Sequence, residues 1–235
     1  MVPAGMINEK TLDSWTTNAT NALRHRGPDD GGTWVDANAG IALGHRRLSI
    51  IDPSLEGHQP MVSENRRFVI TYNGEIYNFP ELRQELDVAG VSFRGHSDTE
   101  VLLAAISQWG LTTALQRANG MFALALWDRE ERQLHLARDR FGQKPLYYGW
   151  AGKTFVFGSE LSALRRFPQF GANIDRDTLS LLLRHNHIPA PHTIYQNCWK
   201  LLPGNTLTID AEAIKKQSIP INPVVVISNK PTAGG

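Results

Sequence analysis

The sequence predicts an α+β fold. Its short strand-like segments cluster between helices without the regular strand–helix alternation of a doubly wound sheet. Neither of the usual glycine patterns for nucleotide binding follows a strand, so a dinucleotide-binding or phosphate-loop domain is not indicated. With 235 residues, 41% of them hydrophobic, the chain is long enough to bury a core as one large domain or two small ones.

Composition excludes several classes of function. The 24 basic and 23 acidic side chains nearly cancel, so no basic surface for nucleic acid is expected. The longest apolar runs, Val101–Ile106 and Met121–Trp127, are far shorter than the ~20 residues of a membrane span, and residues 1–5 do not resemble a secretory signal. We therefore predict a cytoplasmic protein with no nucleic-acid or membrane partner.

The first half of the chain alternates helices with strands. A helix is predicted over Glu9–Leu23, and glycine and proline in His25–Gly32 indicate a turn. Two helices then have recognisable ends: Pro80 and Gly90 bound one, and the Ser-Asp-Thr-Glu motif at 97–100 predicts a capping box at the start of the other. The strands expected here are Ile41–Ile51 and Phe68–Tyr72.

The second half is richer in strands. A helix is expected over Asp175–Leu183, and a Pro-Gly turn at 203–204 precedes the last strand. Residues 1–210 are interpreted as one domain and 211–235 as a poorly ordered tail, because prolines 220, 223 and 231 interrupt the latter. The predicted strands are Met121–Trp127, Gln133–Ala137, Leu146–Trp150, Thr154–Gly158 and Thr206–Ile209.

A pair of arginines occurs near the end of the predicted strand Ile41–Ile51. An arginine flanked by apolar strand residues is costly to bury unless it meets an anion, and its planar guanidinium suits a carboxylate. Arg47 is therefore a candidate carboxylate-binding residue. An edge-strand arginine paired with a nearby aspartate is the alternative.

The Asn73-Gly74-Glu75 motif follows the next strand. Asn-Gly is the commonest hairpin dipeptide, so a plain turn is one interpretation. The other is an oxyanion hole formed by the Asn73 amide and the Gly74 N–H, with Glu75 accepting from an ammonium group. Asp98 could likewise act only as part of its helix cap.

Metal and thiol chemistry are not indicated. The eight histidines show no metal-ligand spacing, so no metal site is predicted. Cys198 is the single cysteine, which excludes an internal disulfide, and no base accompanies it in sequence. We interpret it as a buried structural thiol.

Eight ordered motifs carry a family resemblance. They are His25–Gly32, Gly44–Asp52, Gly57–Met61, Tyr72–Asn78, Ser97–Glu100, Asn119–Ala123, Ala137–Gly142 and Lys144–Tyr148. Through them, residues 23–210 resemble the N-terminal glutaminase domain of glutamine-dependent asparagine synthetases, which are class II glutamine amidotransferases. The resemblance implies a four-layer αββα sandwich of the N-terminal-nucleophile hydrolase type.

The resemblance also implies a glutamine site. Arg47 would hold the substrate α-carboxylate, with backbone from Leu48, Ser49, Ile50 and Ile51 lining the pocket. Asn73 and Gly74 would form the oxyanion hole, and Glu75 and Asp98 would receive the α-ammonium. The implied partners are L-glutamine and a synthetase domain or subunit, against which residues 137–148 and 158–164 would pack. Whether the chain also forms a homodimer is left open.

The chain departs from the family pattern at both ends. Family members begin with a cysteine whose thiol attacks glutamine and whose α-amine accepts its proton, and the two pKa values are close in free groups. Here the sequence starts Met1-Val2-Pro3, so we expect the first strand and the nucleophile to be missing.

No ATP-binding loop is present, so no cofactor is expected in this chain; ATP and Mg²⁺ belong to the family's synthetase domain. The expectation is an inactive fragment of an asparagine synthase. A non-catalytic glutamine- or partner-binding protein, or an amidotransferase for another acceptor, are the alternatives.

Overall fold

A computed structural model describes residues 1–2, 7–48, 57–217 and 225–226. Its helices are α1 (Glu9–Asn21), α2 (Phe79–Val88), α3 (Asp98–Trp109), α4 (Leu111–Arg117), α5 (Leu161–Leu164), α6 (Arg176–His185) and α7 (Ala211–Lys216). Its strands are β1 (Asp30–Asp36), β2 (Ile41–Arg47), β3 (Met61–Val62), β4 (Phe68–Ile76), β5 (Gly120–Asp128), β6 (Gln133–Arg138), β7 (Tyr147–Ala151), β8 (Thr154–Gly158), β9 (Cys198–Lys200), β10 (Asn205–Ile209) and β11 (Val225–Val226).

The strands of the described residues form three antiparallel sheets. The largest has the order β11-β10-β6-β5-β4-β3, and the others are β1-β2 and β8-β7-β9. In this six-stranded sheet β4 and β5 form the longest strand pair, from Phe68 opposite Asp128 to Ile76 opposite Gly120. This pair positions the site described below.

Side chains on alternate faces of β4 enter two different cores. Ile70 and Tyr72 pack with α2, α3 and α4, whereas Val69 packs with residues of β2, β7 and β8. α1 covers the other side of β1 and β2. The successive layers are therefore helices, the six-stranded sheet, the two smaller sheets, and a second helical layer, which confirms the predicted αββα sandwich.

The end signals of α3 act largely as predicted. Ser97 is the N-cap, and its side chain accepts a hydrogen bond from Glu100 N at 3.2 Å. The reciprocal half of the capping box is replaced, because the Glu100 carboxylate accepts from the backbone N–H groups of Arg94 and Gly95 at 2.8 and 2.9 Å. Glu100 thus fixes the loop before α3.

Two local interpretations were wrong. Asn73-Gly74 is not a turn but lies inside β4, which continues to Ile76 because β5 pairs with it along its whole length. The predicted turn around Asp30 begins strand β1, whose partner β2 runs beside it. In both places pairing with a distant strand overrides the local preference of Asn, Asp and Gly.

The two smaller sheets each present an edge to the same gap. Within the described residues, β2 pairs with β1 and β8 pairs with β7. Met1 pairs with Phe155 of β8, since Met1 N donates to Phe155 O at 2.6 Å and Phe155 N donates to Met1 O at 2.9 Å. On the other side Val2 N donates to Gly40 O at 2.8 Å. We call the gap between β2 and β8 the slot.

The segment after Asp210 contributes α7, in which Ile214 is buried against the core between the sheets. Val225–Val226 pairs with Asn205 and Thr206 of β10. The predicted division at residue 210 and the predicted disorder beyond it stay predictions. No helix among the described residues has the length and apolarity needed to cross a bilayer.

Candidate active site

The predicted site residues meet at one cavity of about 530 Å³ between the sheets. It lies where β2, β4 and the start of α3 converge, and it continues beneath α1 toward the slot. Small side chains on β5, Ala123 and Ala125, leave the space open beside β4. Of the predicted residues, the cavity is lined by Arg47, Leu48, Asn73, Gly74, Glu75 and Asp98.

The N–H of Gly74 faces away from β5. In the β4–β5 register Gly74 is opposite Phe122, whose two backbone groups both point to Asp139. Phe122 O accepts from Asp139 N at 2.8 Å, and Phe122 N donates to Asp139 Oδ2 at 3.2 Å. Because paired residues in an antiparallel ladder orient alike, Gly74 presents its N–H to the outer edge of β4.

The neighbouring N–H groups on that edge are bound by side chains. Tyr72 N donates to Gln59 Oε1 at 2.7 Å, and Ile76 N donates to Asp98 Oδ2 at 2.9 Å. β3 pairs only as far as Ile70, so it does not reach this part of the edge. The Gly74 N–H, which lies between these two, meets no acceptor in the described part of the chain and borders the cavity.

The side chain of Asn73 projects from the opposite face to Tyr72, toward the cavity. A backbone N–H from Gly74 and a carboxamide N–H from Asn73 are thus adjacent donors on one strand. Donors placed in this way can stabilise a developing oxyanion, each typically by ~2.7–4 kcal/mol.

Arg47 ends β2 on the same strand face as His45. His45 Nδ1 lies 3.2 Å from Thr71 Oγ1, which brings β2 across β4 two residues before Asn73. The Arg47 guanidinium lies directly against Gly57, and any side chain at position 57 would overlap it. A planar cation is therefore held at the cavity wall, where it can bind a carboxylate.

Asp98 is the first residue of α3 and only 5% exposed. Its Oδ2 accepts from the Tyr72 hydroxyl and from Ile76 N, both at 2.9 Å. Burial raises the pKa of Asp98, and the nearby charge of Glu75 acts in the same direction. A carboxyl group buried beside a cavity is suited to a cationic ligand, because the cation would stabilise the charged carboxylate form.

The remaining predicted residues are less constrained. Glu75 is half-buried and lines the cavity. Leu48 is 53% exposed at the rim. Ser49, Ile50 and Ile51 lie outside the described residues.

Two residues were missed by the sequence analysis. Burial lowers the pKa of His45 to about 4, and the charge of Arg47 acts in the same direction, so the cavity contains a neutral imidazole. Gln59 is buried and joins Tyr72 N to Thr99 Oγ1, the latter at 3.4 Å. His45 could have been found from the sequence, because it is two positions before Arg47 and so lies on the same face of β2. Nothing in the local sequence indicated Gln59.

Cys198 lies apart from the cavity. It lies on β9, which β7 separates from β8, packs with Val156 and Leu164, and is not among the residues that line the cavity. Burial raises its pKa to about 11. This environment agrees with the interpretation of Cys198 as a structural thiol.

A rigid loop borders the cavity at Lys144. The fully buried carboxylate of Asp139 accepts four backbone N–H bonds, and the Arg138 guanidinium donates to three carbonyls, one of them Leu201 O at 2.7 Å. The loop nevertheless presents Phe141 to solvent, 79% exposed. It belongs to the region predicted to pack against a synthetase domain.

Known proteins resemble this chain over most of its length. Residues 3–219 match the family described as "Glutamine amidotransferase domain". Asparagine synthetase [glutamine-hydrolyzing] 3 of Bacillus subtilis is 37% identical over 89% of this chain and 33% of its own length. Asparagine synthetase [glutamine-hydrolyzing] 1 of the same organism is 40% identical over 79% of this chain and 28% of its own length. The chain spans about a third of these curated relatives.

Solved structures share the fold. Glutamine phosphoribosylpyrophosphate amidotransferase from B. subtilis, complexed with ADP and GMP, superposes with a TM-score of 0.63 at 21% sequence identity. The match covers 85% of this chain and 45% of that one. At this identity the similarity supports the fold alone.

Proposed function

Because this chain belongs to the glutamine amidotransferase family, we propose that its cavity binds L-glutamine and that the domain releases ammonia from the side-chain amide. The observation that carries the proposal is the N–H of Gly74, which lies on the cavity edge without an acceptor among the described residues, with Asn73 beside it. Arg47 would bind the α-carboxylate, and Asp98 and Glu75 would bind the α-ammonium. These charges match the two ends of an amino-acid head group.

The proposed chemistry is acyl transfer to a thiol. A thiolate attacks the amide carbon of glutamine, and the oxyanion that forms is held by Gly74 N–H and the Asn73 amide. Ammonia leaves with the proton taken from the thiol, and water then hydrolyses the thioester to glutamate. Cys198 does not supply this thiol, because it is buried away from the cavity.

We infer that the slot would guide a segment attached before Met1, whose leading cysteine is the proposed nucleophile, into the cavity. The Met1–Phe155 pair is antiparallel to β8, so residues attached before Met1 would run along β8 toward Gly158 and along β2 toward Arg47. Gly40 and Arg47 are seven positions apart, and at about 3.4 Å per residue an extension of roughly six residues would reach the cavity. Its first residue would then lie beside Gly74.

The ammonia is proposed to serve an ATP-dependent amidation of aspartate in a separate synthetase domain or subunit. The names of the relatives support this acceptor, and the rigid loop that carries Phe141 is the proposed contact surface. The cytoplasmic location expected from the sequence is part of the same proposal. The alternative is a protein that binds glutamine without reacting, and the absence of Cys198 from the cavity lining favours it for the chain taken alone.

The test is a series of N-terminal extensions that begin with Cys-Gly-Ile and contain four, six or eight residues before Met1. Glutamate release from glutamine is measured for each variant, with folding checked by thermal melting. We expect activity to peak near six residues. The same extension with Ala in place of the leading Cys should fold equally well and stay inactive.

Two results would contradict the proposal. Well-folded extensions of all three lengths that release no glutamate would reject the reaction. Calorimetry that detects no glutamine binding to the chain would reject both the reaction and the binding alternative.

A further inference from the structure

Tyr72 makes a contact with the site that the proposed roles do not use. Its hydroxyl donates to Asp98 Oδ2 at 2.9 Å, and both residues are at most 5% exposed. The same oxygen accepts from Ile76 N at 2.9 Å. Two fixed donors thereby occupy one carboxylate oxygen, Thr99 N gives the carboxylate a further hydrogen bond, and Asp98 borders the cavity.

The position of the Tyr72 ring is itself fixed. Tyr72 lies on β4, and its backbone N–H is held by Gln59 Oε1 at 2.7 Å. The Gln59 amide nitrogen donates to Thr99 Oγ1, next to Asp98 in α3. The strand, the Gln59 side chain and the helix start thus form a closed ring of contacts, so the hydroxyl reaches Asp98 without the entropy loss of a mobile donor.

These bonds also bear on the charge of Asp98. Burial and the charge of Glu75 disfavour the carboxylate, whereas the bonds from Ile76 N, Tyr72 and Thr99 N favour it. Burial and the Asp98 charge raise the pKa of Tyr72, so its hydroxyl keeps its proton and remains a donor. The other charged or titratable side chains that line the cavity are Arg26, His45, Arg46, Arg47, Glu75 and Lys144.

We propose that Tyr72 is a positioning residue for the substrate ammonium: its hydroxyl, together with Ile76 N, occupies Oδ2 of Asp98 and leaves Oδ1 to bind the α-ammonium of glutamine. The inference rests on the proposed function and deepens it, because it assigns recognition of the amino group to a pair of residues. A ligand without that amino group should be insensitive to Tyr72.

The experiment measures ligand binding to the full chain by calorimetry between pH 4 and pH 8, for the wild type and for Tyr72→Phe. The ligands are L-glutamine and 4-carbamoylbutanoate, which is glutamine without its α-amino group. We expect Tyr72→Phe to weaken glutamine binding about tenfold at pH 7, the effect typical of a hydrogen bond to a charged group. Binding of 4-carbamoylbutanoate should change less than about twofold, within the scatter of such effects.

The pH dependence of glutamine binding is a second measurement, and its midpoint should not change if Tyr72 has only a structural role. Tyr72→Phe removes a hydrogen bond to the charged form of Asp98 and so raises the pKa of Asp98. As the pH is lowered, the variant should therefore lose glutamine binding at a higher pH than the wild type. The midpoint is expected to rise by about one pH unit, which corresponds to the same tenfold factor. In an Asp98→Asn background, Tyr72→Phe should have no further effect on glutamine binding.

Tyr148→Phe is the matched control. Tyr148 is also buried, at 3% exposure, but it packs against Phe155 and Trp199 and does not line the cavity. If Tyr72→Phe weakened binding of both ligands equally, or left the pH midpoint of glutamine binding unchanged, the role of Tyr72 would be overturned. The proposal that the cavity binds glutamine would not be affected. If Tyr72→Phe unfolds, the Asp98→Asn variant decides, since it must then lose glutamine at least tenfold and retain 4-carbamoylbutanoate. No glutamine binding by the wild type would overturn the proposed function as well.

Discussion

Gly74 of β4 lies so close to Met121 of β5 that a β-carbon at position 74 would overlap the Met121 carbonyl oxygen. The same β-carbon would lie 2.7 Å from Phe122 Cβ. Both obstacles belong to β5, which is paired with β4 on one side and with β6 on the other and so cannot move independently. The glycine is therefore required by packing, in addition to any role of its N–H group.

Gly74→Ala should destabilise the fold by about 2–3 kcal/mol, because the β-carbon forces a shift of backbone and not of a flexible side chain. Urea unfolding of the wild type and the variant measures the difference. Gly171→Ala is the control, since the nearest atom to its β-carbon would be Asn173 Nδ2 at 3.6 Å. Equal stability of Gly74→Ala and wild type would show that the strands can separate without cost.

Arg47→Lys should weaken glutamine binding about 10- to 100-fold, because lysine keeps the charge but loses the planar pair of donors that fits a carboxylate. Calorimetry measures the affinity. Arg24→Lys, at an exposed position of the same chain, should leave it unchanged.

Gly57→Ala tests the same group by a second route. The added methyl would displace the Arg47 guanidinium while leaving its charge in place. We expect a loss of affinity in the same direction as for Arg47→Lys. A glutamine affinity that neither substitution alters would show that the carboxylate binds elsewhere.

His45 should make the fold less stable in mild acid. Its pKa is lowered from 6.5 to about 4 by burial, so between these values the unfolded chain binds a proton that the folded chain does not. Stability therefore rises with pH through this window and falls as the pH drops from 7 to 5, by about 2 kcal/mol for this group.

His45→Gln should flatten that part of the curve, which urea unfolding at pH 5, 6 and 7 would reveal. The exposed His187 provides the control, because His187→Gln should leave the pH dependence as it is in the wild type. A curve that His45→Gln does not change would mean that the pKa of His45 is the same in the folded and the unfolded chain.

The sequence was sufficient for features whose causes are local. Ser97 caps α3 at the predicted residue, because the cap depends on residues only three positions apart. The layer order followed from the family resemblance, and so did the placement of Arg47, Asn73, Gly74 and Asp98 at one cavity. The place of Asn73-Gly74 inside β4 did not follow, since the strand continues there only through its pairing with β5.

The contributions of Gln59 and Tyr72 could not be predicted for a related reason. Gln59 is distant in sequence from both groups that it joins, Tyr72 N and Thr99 Oγ1. Tyr72 reads as an ordinary core residue of a strand, and its hydroxyl acquires a partner only when α3 docks beside β4. Such roles arise from tertiary contacts that no spacing along the chain records.

The shortness of β3 has a consequence for the outer edge of β4. A neighbour strand that ran the full length of β4 would have consumed every outward amide, and the sheet would be an inert scaffold. Since β3 pairs with only two residues of β4, the outward N–H groups of Tyr72, Gly74 and Ile76 have no partner strand among the described residues; Gln59 and Asp98 bind two of them, and the proposed function uses the third. Under the proposed function, the oxyanion donor is thus an amide that a short neighbouring strand leaves exposed to the cavity.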